Sequence, residues 1–172
     1  MSDEMTKVAL ITGACGGIGR ALVYKYASQG ISLAIADKSL KEVTILVDEV
    51  VSKGGTAKAF SGDLTKKSYC DNLPNDVKQE FGRIDIVVNN AGLMRRGAIT
   101  DTTDKDYNLS MSVNVEAPFR IVRAAIPLMA AAGGGAIVNI SSCWGINPGR
   151  WSNSFLSFRY VFVESISFRR IM

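Results

Sequence analysis

Short runs rich in Val, Ile and Leu recur along the chain, with room for about one helix between each pair. This alternation limits the fold more than any other feature. Residues 8–11, 32–36, 57–60, 84–88 and 136–140 read as strands. Amphipathic stretches over 17–29, 41–52, 66–81 and 103–131 read as the helices between them. Apolar strands separated by helices imply a parallel sheet covered on both faces, so the fold class is α/β, a doubly wound parallel sheet. The pattern holds over residues 1–149. From 150 to 172 the composition turns to Ser, Arg and Phe, with no Ala, Gly, Asp or Lys. That tail reads as out of register with the preceding sequence, as a frameshift or truncation would leave it, and the sheet is expected to be incomplete at its C-terminal edge.

Composition narrows the chemistry. With 172 residues, 47% hydrophobic and 21% charged, the chain is long enough for one globular domain. It contains no His, which excludes a Ser-His-Asp triad, a His-bearing zinc site and a His general base. Cys15, Cys70 and Cys143 are odd in number and widely spaced, which fits a reducing compartment and gives no metal cluster. A cytoplasmic location is expected. The longest uncharged stretch, 124–140, is broken by Pro127, Gly133, Gly134 and Gly135, so no membrane span is expected. The net charge of +4 comes from scattered Lys and Arg with no basic stripe, which argues against a nucleic-acid partner.

Between the first strand and the first helix lies Thr12-Gly-Ala-Cys-Gly-Gly-Ile-Gly19. Glycines at 13, 17 and 19 let the backbone turn sharply and approach a pyrophosphate closely. Free N–H groups and the positive end of the helix dipole then meet its charge. Gly13, Cys15, Gly16, Gly17, Ile18 and Gly19 are therefore candidate cofactor-binding residues. About 20 residues on, Asp37 ends the second strand, where a carboxylate can accept from both ribose hydroxyls and repel a 2′-phosphate. NAD is expected over NADP, with Lys38 and Arg20 close enough to soften the discrimination. Asp37 could alternatively serve only to cap the next helix.

These residues, with Asp63-Leu64, Asn89-Asn-Ala-Gly92, Asn114 and Asn139-Ile-Ser-Ser142, resemble the short-chain dehydrogenase/reductase family over about residues 5–149. The resemblance implies a single Rossmann-like domain and NAD(P)-dependent hydride transfer between an alcohol and a ketone. It also implies that Asp63 and Leu64 contact the adenine, that Asn90, Ala91 and Gly92 line the nicotinamide side, and that Ser142 bonds the substrate oxygen. Family members form homo-oligomers through the long fourth helix and the helix after the catalytic Ser. Independently of any family, Asp63, Asn89 and Ser142 follow strand ends, where an open parallel sheet binds its ligands, although such residues also cap turns.

Asn114 shares a helix face with Tyr107, Met111 and Pro118. Pro118 lacks the N–H that would bond the Asn114 carbonyl, so a kink is expected there. The resemblance implies that this carbonyl holds a water in a proton relay and makes Asn114 catalytic; a kinked core helix with a locally bonded Asn is the alternative.

One part of the family pattern is missing. Counting from Ser142 at the family spacing, the Tyr and Lys of the active site fall on Phe155 and Arg159. Phe has no proton to give, and a guanidinium does not substitute for an ammonium. Tyr160 lies about 140° further around a helix. Impaired turnover is expected; a non-catalytic dinucleotide-binding module or a non-functional product is the competing reading.

Overall fold

The computed structural model describes residues 6–94 and 99–142. Their strands are β1 (Val8–Thr12), β2 (Ser32–Asp37), β3 (Ala57–Ser61), β4 (Ile86–Asn89) and β5 (Ala136–Asn139). All pair in parallel in the order β3-β2-β1-β4-β5. The chain steps outward from β1 to β3, then returns to the other side of β1, so the order reverses between β1 and β4. The intervening helices are α1 (Gly17–Ala27), α2 (Leu40–Ser52), α3 (Lys67–Phe81), α4 (Asp104–Met111) and α5 (Ala117–Ala131). The doubly wound expectation therefore holds.

Period-two alternation divides the core. Val8 and Leu10 of β1, with Ala34 and Ala36 of β2, face Leu73 and Val77 of α3 and Ile121 and Ala125 of α5. Ala9 and Ile11, with Leu33 and Ile35, face Val23 of α1 and Val43, Leu46 and Val50 of α2. β1 and β2 are apolar because both of their faces are covered. β3 lies at an edge and is mostly exposed, with Ala57 buried and Phe60 half-buried. Its Lys58 reaches Glu80 of α3 at 2.9 Å, and a charged edge of this kind discourages pairing with other chains.

The starts of β1 and β4 are joined through Asp85, which is 6% exposed. Its carboxylate accepts Arg83 Nε at 2.8 Å, Arg83 Nη2 at 2.6 Å and the Val8 N–H at 2.8 Å. Removing one partner of a buried pair leaves the other charge uncompensated. Asp85→Ala is therefore expected to lower stability by about 3 kcal/mol, read from the midpoint of a urea melt at unchanged slope.

The single helix expected over 103–131 is corrected. α4 ends at Met111, a π-helical turn spans Ser112–Glu116, and α5 begins at Ala117. The Ala117 N–H donates to the Ser112 carbonyl, five residues back. Pro118 withholds the N–H that an α-helix would supply to Asn114, and the chain widens there instead of only bending. Strand ends also move by one or two residues: β1 runs on to Thr12, β2 to Asp37, and β4 starts at Ile86. Among the described residues no helix is long and apolar enough to cross a membrane.

Candidate functional site

At the reversal of strand order, the C-terminal ends of the strands open onto a cleft of about 710 Å³. Thr12, Gly13 and Cys15–Ile18 form one wall; Asp37, Lys38 and Glu42 another; Gly62–Thr65 and Tyr69 a third; Asn90–Leu93, Leu109 and Val113 the far end.

The glycine loop holds its shape for identifiable reasons. Gly13 has φ +61°, and a Cβ there would come within 2.6 Å of Ala91 Cα. A Cβ at Gly19 would press on Ala14 Cα at 2.7 Å. At Gly17, by contrast, a Cβ would meet nothing within 4 Å, because that position opens into the cleft. α1 begins at Gly17 behind Gly16, no side chain caps it, and its first turn carries no acid. Its free N–H groups and dipole therefore face the cleft, an arrangement that suits an anion.

Three side chains fix this loop to its neighbours. Asp37 Oδ2 accepts the Cys15 N–H at 3.0 Å, and Oδ1 accepts the Lys38 N–H at 2.7 Å. A carboxylate has about four lone-pair sites, so capacity remains for a ligand. Asn90 donates through Nδ2 to the Thr12 and Gly13 carbonyls at 3.1 and 2.9 Å. Thr12 Oγ1 accepts the N–H groups of Asn90 and Ala91, each at 3.2 Å, and lies 3.4 Å from the Val88 carbonyl. Asn90 thus stitches β4 to the loop as well as lining the cleft.

Asp63 Oδ1 accepts the Thr65 N–H at 2.9 Å, and that bond holds its carboxyl below the usual range. Glu116, in the π turn, is likewise held low, first by Arg120 at 2.9 and 3.0 Å and then by Lys67 at 3.1 Å. Both groups are more acidic folded than unfolded. Their stabilisation is complete above the unfolded carboxylate values and is lost as pH falls through the lower folded ones. Unfolding followed from pH 6 to pH 2 is expected to show stability flat at first and falling below about pH 4. Asp63→Asn should flatten the decline.

Burial, aided by the charge of Asp37, pushes the Cys15 thiol up to about 11, so it stays protonated and is no nucleophile at neutral pH. Tyr69 escaped the sequence reading. Its hydroxyl donates to the Phe60 carbonyl at 2.7 Å, and its ring occupies the space a Gly62 side chain would need. Only the absence of a side chain at residue 62 lets the backbone there pass this close to the ring.

Asn114 is 4% exposed and grips the Leu93 backbone at two points. Its Nδ2 donates to the Leu93 carbonyl at 2.7 Å, and its Oδ1 accepts the Leu93 N–H at 2.8 Å. The side chain is committed to a segment 21 residues away, so the locally bonded alternative is corrected. Ser142 follows β5, half-buried, and is not among the residues lining the cleft. Beneath it, Asn89 Nδ2 donates to Asn139 Oδ1 at 2.9 Å across the β4–β5 pair. Arg20 does not stand free beside Asp37: its Nη1 bonds Glu49 at 3.1 Å and Tyr24 at 3.2 Å, between α1 and α2. Cys143, Phe155, Arg159, Tyr160 and the tail 150–172 lie outside the described residues.

The family model for short chain dehydrogenase matches residues 7–155. An uncharacterized oxidoreductase of Thermotoga maritima is 40% identical over 136 residues, which are 79% of this chain and 53% of that protein. The 3-oxoacyl-[acyl-carrier-protein] reductase FabG of the same organism is 34% identical over 146 residues, 84% of this chain and 59% of the reductase. Among solved structures, a metagenomic short-chain oxidoreductase in complex with NADP superposes with a TM-score of 0.85 at 30% identity, over 91% of this chain and 72% of its own. The cleft, its glycine loop and these matches place the chain in the short-chain dehydrogenase family. It spans a little over half the length of those two curated relatives.

Proposed function

We propose that the cleft binds a nicotinamide dinucleotide and that the protein belongs to an alcohol/ketone oxidoreductase system working on small molecules. The uncapped N-terminus of α1, opening through Gly17 into the 710 Å³ cleft opposite Asp37, carries this reading. The donor set suits the group: N–H groups for a pyrophosphate, carboxylate lone pairs for ribose hydroxyls, and an apolar slot beside Leu64 and Tyr69 for a base. When bound, the dinucleotide supplies the hydride acceptor or donor.

The chain's own residues divide the remaining work. Gly13 and Cys15–Gly19 surround the phosphates, Asp37 takes the adenosine ribose, and Asp63 and Leu64 flank the base. Asn90, Ala91 and Gly92 border the nicotinamide end. Ser142 donates a hydrogen bond to the substrate oxygen. Asn114 fixes Leu93 with its side chain while its carbonyl, deprived of the Pro118 N–H, is open to a relay water. The reading includes a cytoplasmic setting with no nucleic-acid or membrane partner; the free Cys15 and Cys70 thiols fit a reducing compartment.

NAD is the preferred form, because Asp37 repels a 2′-phosphate and Arg20 is occupied by Glu49. Calorimetric titration is expected to show NAD(H) binding more tightly than NADP(H), with Asp37→Ala narrowing the gap. Equal or tighter NADP(H) binding would overturn the preference, and failure of both to bind would overturn the site. The second reading, a dinucleotide-binding module without turnover, is favoured by Phe155 and Arg159 standing where the family's Tyr and Lys fall.

A further inference from the structure

Glu42 stands beside Asp37 on the cleft wall and has no part in the reading above. It is the third residue of α2. The cap residue Ser39 accepts the Glu42 N–H at 3.3 Å, the first half of a Ser-x-x-Glu capping box. The second half, in which the Glu carboxylate returns to the cap's own N–H, is not made among the described residues. The carboxylate remains on the cleft side, where its charge and that of Asp37 both act on the Cys15 thiol.

The nearby cations offset these two charges only in part: Arg20 acts on the Cys15 thiol in the opposite sense, but less than Asp37 and Glu42 do. Arg20 is drawn to Glu49 at 3.1 Å, and Glu49 is in turn bonded by the Tyr24 hydroxyl. Lys53 sits over the Tyr24 ring at 4.8 Å, closing that cluster on the side away from the cleft. Lys38 also lines the cleft, next to Asp37, and its charge reaches Asp63 as well. A dianionic 2′-phosphate arriving beside Asp37 therefore meets a second carboxylate, the Lys38 ammonium and, among the described residues, no uncommitted guanidinium, whereas an unphosphorylated ribose meets two carboxylate acceptors without that repulsion.

We propose that Glu42 is a second determinant, with Asp37, of selection for an unphosphorylated adenosine ribose, and that Glu49 enforces the selection by holding Arg20 out of the cleft. This rests on the dinucleotide reading of the same cleft and names the end of the ligand that is recognised. An exposed carboxylate acts through solvent, so the effect is modest and weakens with salt.

The probes are 5′-AMP and adenosine 2′,5′-bisphosphate, which carry the contested group without the nicotinamide half. Affinities are measured by calorimetry on the 172-residue chain at low and at 0.5 M salt. Glu42→Gln is expected to raise bisphosphate affinity about threefold, and Glu42→Lys about tenfold, with AMP affinity held within twofold. Glu49→Gln, which frees Arg20, should act in the same direction as Glu42→Gln, and all three gains should shrink at high salt. A bisphosphate-to-AMP ratio unchanged in both Glu42 variants, or AMP and bisphosphate shifting together, would overturn the proposal while leaving the cleft a nucleotide site. A parent chain that binds neither probe nor any dinucleotide would overturn the dinucleotide reading itself.

Discussion

A Gly17→Val chain is expected to fold as the parent does and to bind dinucleotide at least about a hundredfold more weakly, a loss of about 2.7 kcal/mol. The valine Cβ would find open space, with nothing beyond its own chain neighbours and helix within 4 Å. It would instead occupy the space in front of the α1 N–H groups, where a pyrophosphate must sit for the dipole to act on it. The contrast is Gly13→Val, in which a β-branched residue is forced to φ +61° against the backbone of Ala91. That variant should lose stability first and binding only as a consequence. Thermal melts of both, beside calorimetric titration with NADH, separate the effects. Parent-like affinity in a folded Gly17→Val chain would place the ligand elsewhere.

The second large effect concerns turnover. With Phe155 in place of the family's Tyr, NADH oxidation with simple diketones and acetoacetyl esters should run at least about 100-fold below an intact relative, because a positioned general acid contributes roughly 10²- to 10⁴-fold. The Arg159 guanidinium adds to the deficit, since a planar fork does not take the place of a compact ammonium beside a Tyr and a ribose. Phe155→Tyr with Arg159→Lys should recover little, because the surrounding Ser-, Arg- and Phe-rich sequence differs from the small apolar helix that seats those groups in the family. Replacing residues 150–172 with a relative's corresponding segment should recover far more. Robust turnover by the unaltered chain would assign the proton to another donor, Tyr160 first, and the reading of the tail would fall.

Much of the cleft was legible because its signals are local. The glycine spacing, the strand before it, the helix after it and the acid at residue 37 occupy one βαβ unit, and each constrains the next. What escaped depends on contacts between distant segments. The function of Asn90 as a stitch requires β4 to lie beside β1, a pairing across 77 residues that no window of sequence displays. Arg20 looked available to a phosphate because its partner Glu49 lies 29 positions away on another helix. Tyr69 drew no notice in the sequence, where nothing marks out a residue near the start of a helix; the bare Gly62 backbone against its ring reveals it as a wall of the cleft. In the long helix the proline was visible, and so was the carbonyl it deprives. Whether the backbone bends or widens there is decided by what Asn114 can reach, and Leu93 supplied both a donor and an acceptor.

The bonds that join Asn90, Thr12 and Asp37 to the glycine loop all lie within the chain, so folding itself shapes residues 12–19. Ordering one residue's backbone costs about 1–2 kcal/mol, and for a loop that must first be arranged this comes out of the affinity. Here folding has already met that cost at residues 12–19, and a visiting nucleotide owes only its own loss of freedom. On the dinucleotide reading, such preorganisation should give a ligand weak in contacts, even a bare adenosine monophosphate, a measurable hold.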